Sequence, residues 1–328
     1  MIPLSVLDLV PVREGSGPAE ALAEAGRLAA VAESAGYRRF WVAEHHGTDG
    51  IAGGATAVVL AHIGHCTATI RIGAGGVMLP NHNPFVIAEQ FGTLDALFPG
   101  RVDLGLGRAP GAAGILARAL RKDLNEAANG FPHDVLELRA LLTGEVDLPI
   151  TATPGLGADL DLWILGSSLF GAQLAAQLGM RYAFASHFAP EQLDAALSTY
   201  RSQFRPSPSL DAPYVMAGMS VITAETDRDA ETLASSQDQV FVRMRTGKFG
   251  LLPPPIPDYR ASLSLADRAI LDRLDPARAV GSPATVRERI ARFVERTRAD
   301  EIIVSGPIFD PLARQHSLRL TQEALRAG

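Results

Sequence analysis

A single cysteine, Cys66, among 328 residues excludes an intrachain disulfide and points to a reducing compartment, so a cytoplasmic location is the expectation. Lysine is nearly absent: Lys122 and Lys248 are the only two, and the formal net charge of −6 leaves no basic surface of the kind that binds nucleic acid. No apolar run approaches the roughly 18 to 20 residues of a membrane span. The opening Met1-Ile-Pro-Leu-Ser-Val6 lacks the basic region of a signal peptide and runs straight into a strand pattern. There is no His-x-His pair, no low-complexity tract and no internal repeat. A dinucleotide fingerprint is also missing: Gly105-x-Gly107-x-x-Pro110 fails at its last glycine and has no acidic residue at the expected distance. These absences remove nucleic-acid, membrane and nicotinamide readings and leave a chain that handles a small molecule.

What is present is an alternation. Short apolar strands are expected at Ile2–Leu9, Arg39–Ala43, Ile70–Val77, Arg101–Gly107, Leu162–Leu165, Arg181–Ser186, within Tyr214–Ile222, and at Glu301–Val304. Helical stripes separate them. Asn83-Pro84 reads as N-cap and first helical residue, Ile87, Phe91, Leu94 and Phe98 as one buried face, and Pro99-Gly100 as its stop. Residues 112 to 144 read as helix in two pieces, broken at Asn129-Gly130 and Pro132. Eight evenly spaced strands with helices between them predict a single-domain α/β chain, a (β/α)8 TIM barrel over 1–328, with a proline-rich insertion at 247–280 before the last strand.

In such a barrel the chemistry collects where strands end. The second strand ends in Glu44-His45-His46, a carboxylate beside groups that titrate near neutral pH. The third carries Gly75-Gly76 where branched residues are usual, a mark of close backbone approach by a ligand. Arg108 follows the fourth strand, and Gly166-Ser167-Ser168 joins the fifth to a helix, where unpaired amides and the helix dipole favour an anion. Plain N-capping by serine accounts for one hydroxyl of that pair. Asp8 and His187, at the ends of the first and sixth strands, complete the mouth as candidate substrate-pocket residues. A phosphate at one side and a flat ring over glycines fits flavin mononucleotide.

Taken together, Trp41-Val-Ala-Glu-His-His46, Gly73-Ala-Gly-Gly-Val-Met-Leu-Pro80, the helix from Pro84 to Gly100 with Ala88-Glu-Gln90, Gly105-Leu-Gly-Arg-Ala-Pro-Gly111, and Leu165-Gly-Ser-Ser168 before Ala175-Ala176 resemble the bacterial luciferase-like flavin-dependent monooxygenases over essentially the whole chain. The resemblance implies a homodimeric barrel that binds reduced FMN or, less commonly, the deazaflavin F420. It implies a non-proline cis peptide at Gly75-Gly76 beneath the ring and phosphate contacts from Arg108 and Ser168. It makes His45 the acid/base group, with Glu44 orienting it and His46 beside the cofactor. The implied activity is that of a two-component monooxygenase, in which a separate flavin reductase supplies reduced FMN and a C4a-peroxyflavin formed with O2 oxygenates a small organic substrate. Gly107 stands where the luciferases carry a cysteine, which speaks against light emission.

Three other readings stay open at this stage. An F420-dependent hydride-transfer enzyme fits the same residues, and so does a flavin-binding protein without turnover. A metal-dependent hydrolase built on His45, His46 and His187 is the third; neighbouring residues on a strand face opposite ways, and no metal is expected. His62, His65 and Cys66 read as packing on an outer helix, and His133 and His316 as surface residues.

Overall fold

A computed structural model describes residues 2–109, 119–120, 124–146, 149–245, 247 and 250–326. The strands are β1 (Leu4–Asp8), β2 (Arg39–Val42), β3 (Arg71–Met78), β4 (Val102–Gly107), β5 (Asp161–Gly166), β6 (Arg181–Phe184), β7 (Val215–Thr223), β8 (Arg278–Gly281) and β9 (Glu301–Ser305). Parallel pairing runs from β1 through β7 in order, then from β7 to β9 and from β9 back to β1, so eight strands close a barrel. The ninth, β8, pairs only with Ser220–Thr223 of β7 and lies at the end of the stretch the sequence assigned to an insertion. Its four residues are too few to stand out by alternation beside the prolines that precede them.

The outer layer holds α1 (Pro18–Ala35), α2 (Thr56–Cys66), α3 (Pro84–Leu97), α4 (Leu124–Thr143), α5 (Leu169–Leu178), α6 (Leu193–Gln203), α7 (Asp227–Met244), the short α8 (Tyr259–Ser262) and α9 (Leu265–Asp272), α10 (Pro283–Thr297) and α11 (Pro311–Arg326). Among the described residues no helix is long and apolar enough to cross a membrane. The α3 stripe behaves as its spacing requires: Ile87, Phe91, Leu94 and Phe98 are buried, and the Asn83 side chain accepts the Phe85 amide at 2.9 Å. The expected break at Asn129-Gly130 and Pro132 does not occur; α4 runs through it, with Phe131, Val135, Leu138, Leu141 and Leu142 buried along one side. Burial of that face outweighs the intrinsic penalties of glycine and proline. Most of the first piece expected there, at 112–118 and 121–123, lies outside the described residues.

Strand residues alternate between two cores. Leu4, Val6, Phe40, Val42, Ile72 and Ala74 face the helices, whereas Leu7, Trp41, Trp163, Ala183, Met216 and Ile303 fill the barrel interior. Trp41 and Trp163 meet edge to face at 5.2 Å. Below them, at the strand starts, lies a charged floor. Arg39 reaches Asp103 at 2.6 Å, Asp161 at 3.2 Å and Glu301 at 3.1 Å, and Arg71 and Arg181 add further contacts to the same carboxylates. Trp41 Nε1 donates to Asp103 at 2.9 Å, joining floor to aromatic layer. The floor seals one end of the barrel and leaves the strand C-termini as the open one.

At that open end the loops are tied together by backbone. Val12 donates to Gly50 at 2.9 Å, Leu252 donates to Val12 at 2.8 Å, and Glu14 donates to Leu252 at 2.9 Å. The proline-rich stretch is thus fastened to the β1–α1 loop, and it is pinned from beneath by α7, where Ser235 accepts the Ile256 amide at 2.7 Å and Gln239 donates to Pro254 at 2.9 Å.

Candidate active site

Three glycines of the inner wall set the shape of the mouth. A Cβ on Gly75 would lie 2.7 Å from Leu7 and 2.9 Å from Trp41, and one on Gly76 would lie 2.6 Å from the Gly105 carbonyl. The backbone here rests directly on the interior layer and on β4, and no side chain fits beneath it. The Gly75-Gly76 peptide is cis, as the resemblance implies, and the β3–β4 register slips between Ala74 and Val77 at the same place. What faces the open end is therefore a bare strip of peptide.

One strand along, Arg108 is exposed at the end of β4, and its guanidinium lies 4.0 Å from the centre of the Phe170 ring in the first turn of α5. Ser168 is the N-cap of α5 but its hydroxyl caps nothing, and exposed Ser167 precedes it. The simple capping explanation for the two serines thus fails: the first amides of α5 have no side-chain partner from Ser168, and Arg108 stands over the same turn. Gly166 faces Gly171 at van der Waals distance, keeping the strand end and the helix start close. Arg108, Gly166, Ser167 and Ser168 are thus grouped at the ends of β4 and β5 and the start of α5.

On the other side of the glycine strip the Glu44 side chain is buried and gathers its neighbours. Its Oε1 accepts from His46 Nε2 at 2.6 Å and from His82 Nε2 at 2.8 Å, and its Oε2 accepts the Met78 amide at 3.2 Å. Burial pushes this carboxyl upward, but His82 and then His46 outweigh it and hold the acid below its ordinary value. Glu44 is accordingly ionised at neutral pH. Sequence reasoning paired Glu44 with His45; the hydrogen bonds instead run to His46 and His82. The sequence left His82, in the loop Asn81-His82-Asn83, open between ligand and solvent, and the structure puts it on Glu44. Its signal was its place, four residues beyond the end of β3, since parallel neighbours β2 and β3 must bring their following loops together.

His45 is half-buried, and its affinity for a proton is lowered first by burial and then by the neighbouring His46. His187 lies on the inner wall, where its Nδ1 sits 2.3 Å from the position a Cβ on Gly218 would take. Burial lowers its pKa to about 4, so it is a neutral imidazole, and its Nδ1 has no hydrogen-bond partner among the described residues. Ser186 donates to the Gly218 carbonyl at 2.6 Å and fixes the approach.

Asp8 does not join the mouth. Leu7 takes the inward position on β1, so Asp8 faces the helices, fully buried, where it accepts from Arg314 of α11 at 2.8 Å and from the Val10 amide at 3.0 Å. Strand alternation places it outside the substrate pocket the sequence reading gave it. The hydrolase triad of His45, His46 and His187 is not assembled either, because His187 lies across the barrel on Gly218 while His46 is held by Glu44. His133 and His316 are exposed, the latter 3.0 Å from Glu225, and His62 and Cys66 lie on the outer face of α2 against Gly26.

Comparison with known proteins identifies the family. The family model described as luciferase-like monooxygenase matches residues 2–301. A protein of Escherichia coli K12 named luciferase-like monooxygenase is 47% identical over 98% of this chain and 96% of its own length. The N-acetyl-S-alkylcysteine monooxygenase of Bacillus subtilis is 30% identical over 100% of this chain and 99% of its own. The crystal structure of apo-MsnO8 superposes with a TM-score of 0.89 at 36% identity, covering 100% of this chain and 99% of that one. More distant structures with the same fold include the oxygenating constituent of 3,6-diketocamphane monooxygenase from Pseudomonas putida in complex with FMN and an F420-dependent secondary alcohol dehydrogenase, with TM-scores of 0.73 and 0.72.

Proposed function

Because the chain belongs to the luciferase-like monooxygenase family, we propose that it is the oxygenating half of a two-component system, taking reduced FMN from a separate reductase and using O2 to oxygenate a small organic substrate as a homodimer. The observation that carries this reading is the bare Gly75-Gly76 strip flanked on one side by Arg108 and the uncapped start of α5, and on the other by Glu44, whose amide donates to Gly76 at 3.4 Å. That spacing of a flat apolar support from an anion corner suits an isoalloxazine ring with a terminal phosphate.

When bound, reduced FMN supplies the electrons that activate O2. The chain does the rest. Arg108, the α5 amides and the hydroxyls of Ser167 and Ser168 hold the phosphate, and Gly75, Gly76 and Gly166 let backbone approach the ligand. His45, neutral at pH 7 because burial disfavours its charge, takes up or returns a proton at an imidazole nitrogen beside the ring. Glu44 stays ionised and fixes His46 at the cofactor's edge. Across the mouth, His187 holds a neutral imidazole against Gly218, and Phe188 and Phe241, 6.5 Å apart, stand near the rim to keep water out.

The test is anaerobic titration of the protein with reduced FMN and, separately, with reduced F420, followed by oxygen uptake with a panel of thioethers and ketones. Binding of reduced FMN, with O2 consumed only when a substrate is present and one oxygen atom recovered in the product, is the expected result. Binding of F420 with no binding of FMN replaces oxygenation by hydride transfer. Tight FMN binding with no substrate-dependent uptake reduces the protein to a flavin carrier.

A further inference from the structure

Glu44, His46 and His82 form a cluster whose composition exceeds what flavin chemistry asks of it. Their donor atoms, one carboxylate oxygen and two imidazole nitrogens, all lie within 4.8 Å of one another. We propose that these three residues bind a divalent transition cation of the zinc, cobalt and nickel class at the barrel mouth. Two histidines and one carboxylate are a recurrent three-ligand set for such ions, with the remaining position left to water.

The geometry supports this at each ligand. Glu44 Oε2 is anchored by the Met78 amide, so Oε1 alone is presented to an ion. Both imidazoles turn Nε2 toward that same oxygen, and hydrogen bonds of 2.6 and 2.8 Å now occupy the place an ion would take. Ligand atoms around a tetrahedral zinc stand roughly 3.3 Å apart, so His46 and His82 have to withdraw by about 0.7 and about 0.5 Å from 2.6 and 2.8 Å. Side chains that are 21% and 29% exposed have room for that shift, and the same exposure gives an ion a path from solvent. The carboxylate, by contrast, is 1% exposed and ionised, a buried negative charge whose side-chain hydrogen-bond partners among the described residues are these two histidines. Binding takes the Nε2 lone pair of each neutral ring, whose single proton then sits on Nδ1. An ion held here also withdraws His46 and Glu44 from any part in proton movement beside the glycine strip, which makes the site inhibitory for turnover.

The inference stands independently of the flavin reading, and its test needs no cofactor. Full-length protein carrying Cys66→Ser, to remove the Sγ that lies 3.9 Å from His62 on α2, is freed of metal and titrated with Co2+ while the visible d–d absorption is recorded. The expected result is a saturating band at one equivalent per chain. His82→Ala should weaken it more than the about 10–100-fold typical of second-sphere changes; His82→Gln, closer in volume, decides the point if the alanine variant melts early. A band that His82 substitution leaves unchanged, or no saturable binding in the Cys66→Ser protein, overturns the proposal.

Discussion

The two ends of the barrel hold similar kinds of side chain and use them in opposite ways. At the floor, Arg39 is 1% exposed and saturated, with Asp103, Asp161 and Glu301 arranged around it and Arg71 and Arg181 closing the outer ring. Tyr214 donates to Glu301 at 2.8 Å, and Ser5 donates to the same carboxylate. At the mouth, among the described residues, His187 Nδ1 has no hydrogen-bond partner, Arg108 stands over the Phe170 ring, and the Ser168 hydroxyl makes no capping bond. Satisfied polar groups define a structural plug; unsatisfied ones at the opposite end define a surface prepared for a ligand. The difference teaches where to look for function in a barrel whose charges are abundant at both ends.

That contrast is broken first by Arg39→Met. Removing the central cation leaves Asp103 and Glu301 buried with diminished compensation, a loss of about 3–5 kcal/mol. Chemical denaturation should show it as a lower midpoint with unchanged slope, while the folded fraction binds reduced FMN as before. An equal fall in flavin affinity would show that floor and mouth are not separable.

The converse variant is Arg108→Ala. Its side chain is exposed and takes part in no ion pair among the described residues, so thermal stability should shift little. Affinity for reduced FMN should fall by about 10–100-fold, the value of one or two charge-assisted contacts. Reduced riboflavin, which lacks the phosphate, should bind wild type and variant alike, and a matching loss with riboflavin would move Arg108 away from the phosphate. Between these two in kind stands Gly76→Ala, whose Cβ meets the Gly105 carbonyl at 2.6 Å. Overpacking there should cost about 1–3 kcal/mol of stability and also disturb the shelf, lowering both readouts together.

The barrel and the glycine shelf at its mouth were legible before the fold was known. The alternation of β-branched strands and capped helices gave the barrel, and glycines inside β3 marked the shelf because a strand interior otherwise excludes them. Two features were not legible. Asp8 sits one residue from an inward position, and only the pairing register decides which face it takes, so its partner Arg314 could not be read from a site 306 residues away in the chain. His82 lies in a short loop whose position depends on how β3 bends at its glycine bulge, and nothing local in Asn81-His82-Asn83 fixes that. The α4 helix failed in a third way: local breakers at Asn129, Gly130 and Pro132 were overruled by the burial of Phe131 and Val135, a tertiary effect outside any sequence window.

The smallest effect expected is also the one that tests whether the mouth is prepared at a cost to the fold. His187 is neutral because burial lowers its pKa from 6.5 to about 4, so the folded chain resists a proton that the unfolded chain accepts. The unfolded state then binds more protons throughout the window between those two values, and stability falls as pH drops through it. From pH 6.5 to 5.5 the loss attributable to this one imidazole is about 1 kcal/mol. His187→Asn, which keeps polarity without a titratable ring, should flatten that limb of the stability curve relative to wild type. An acid limb identical in wild type and His187→Asn would place the titrating group elsewhere and would remove the argument that the Gly218 contact holds an uncharged imidazole ready for substrate.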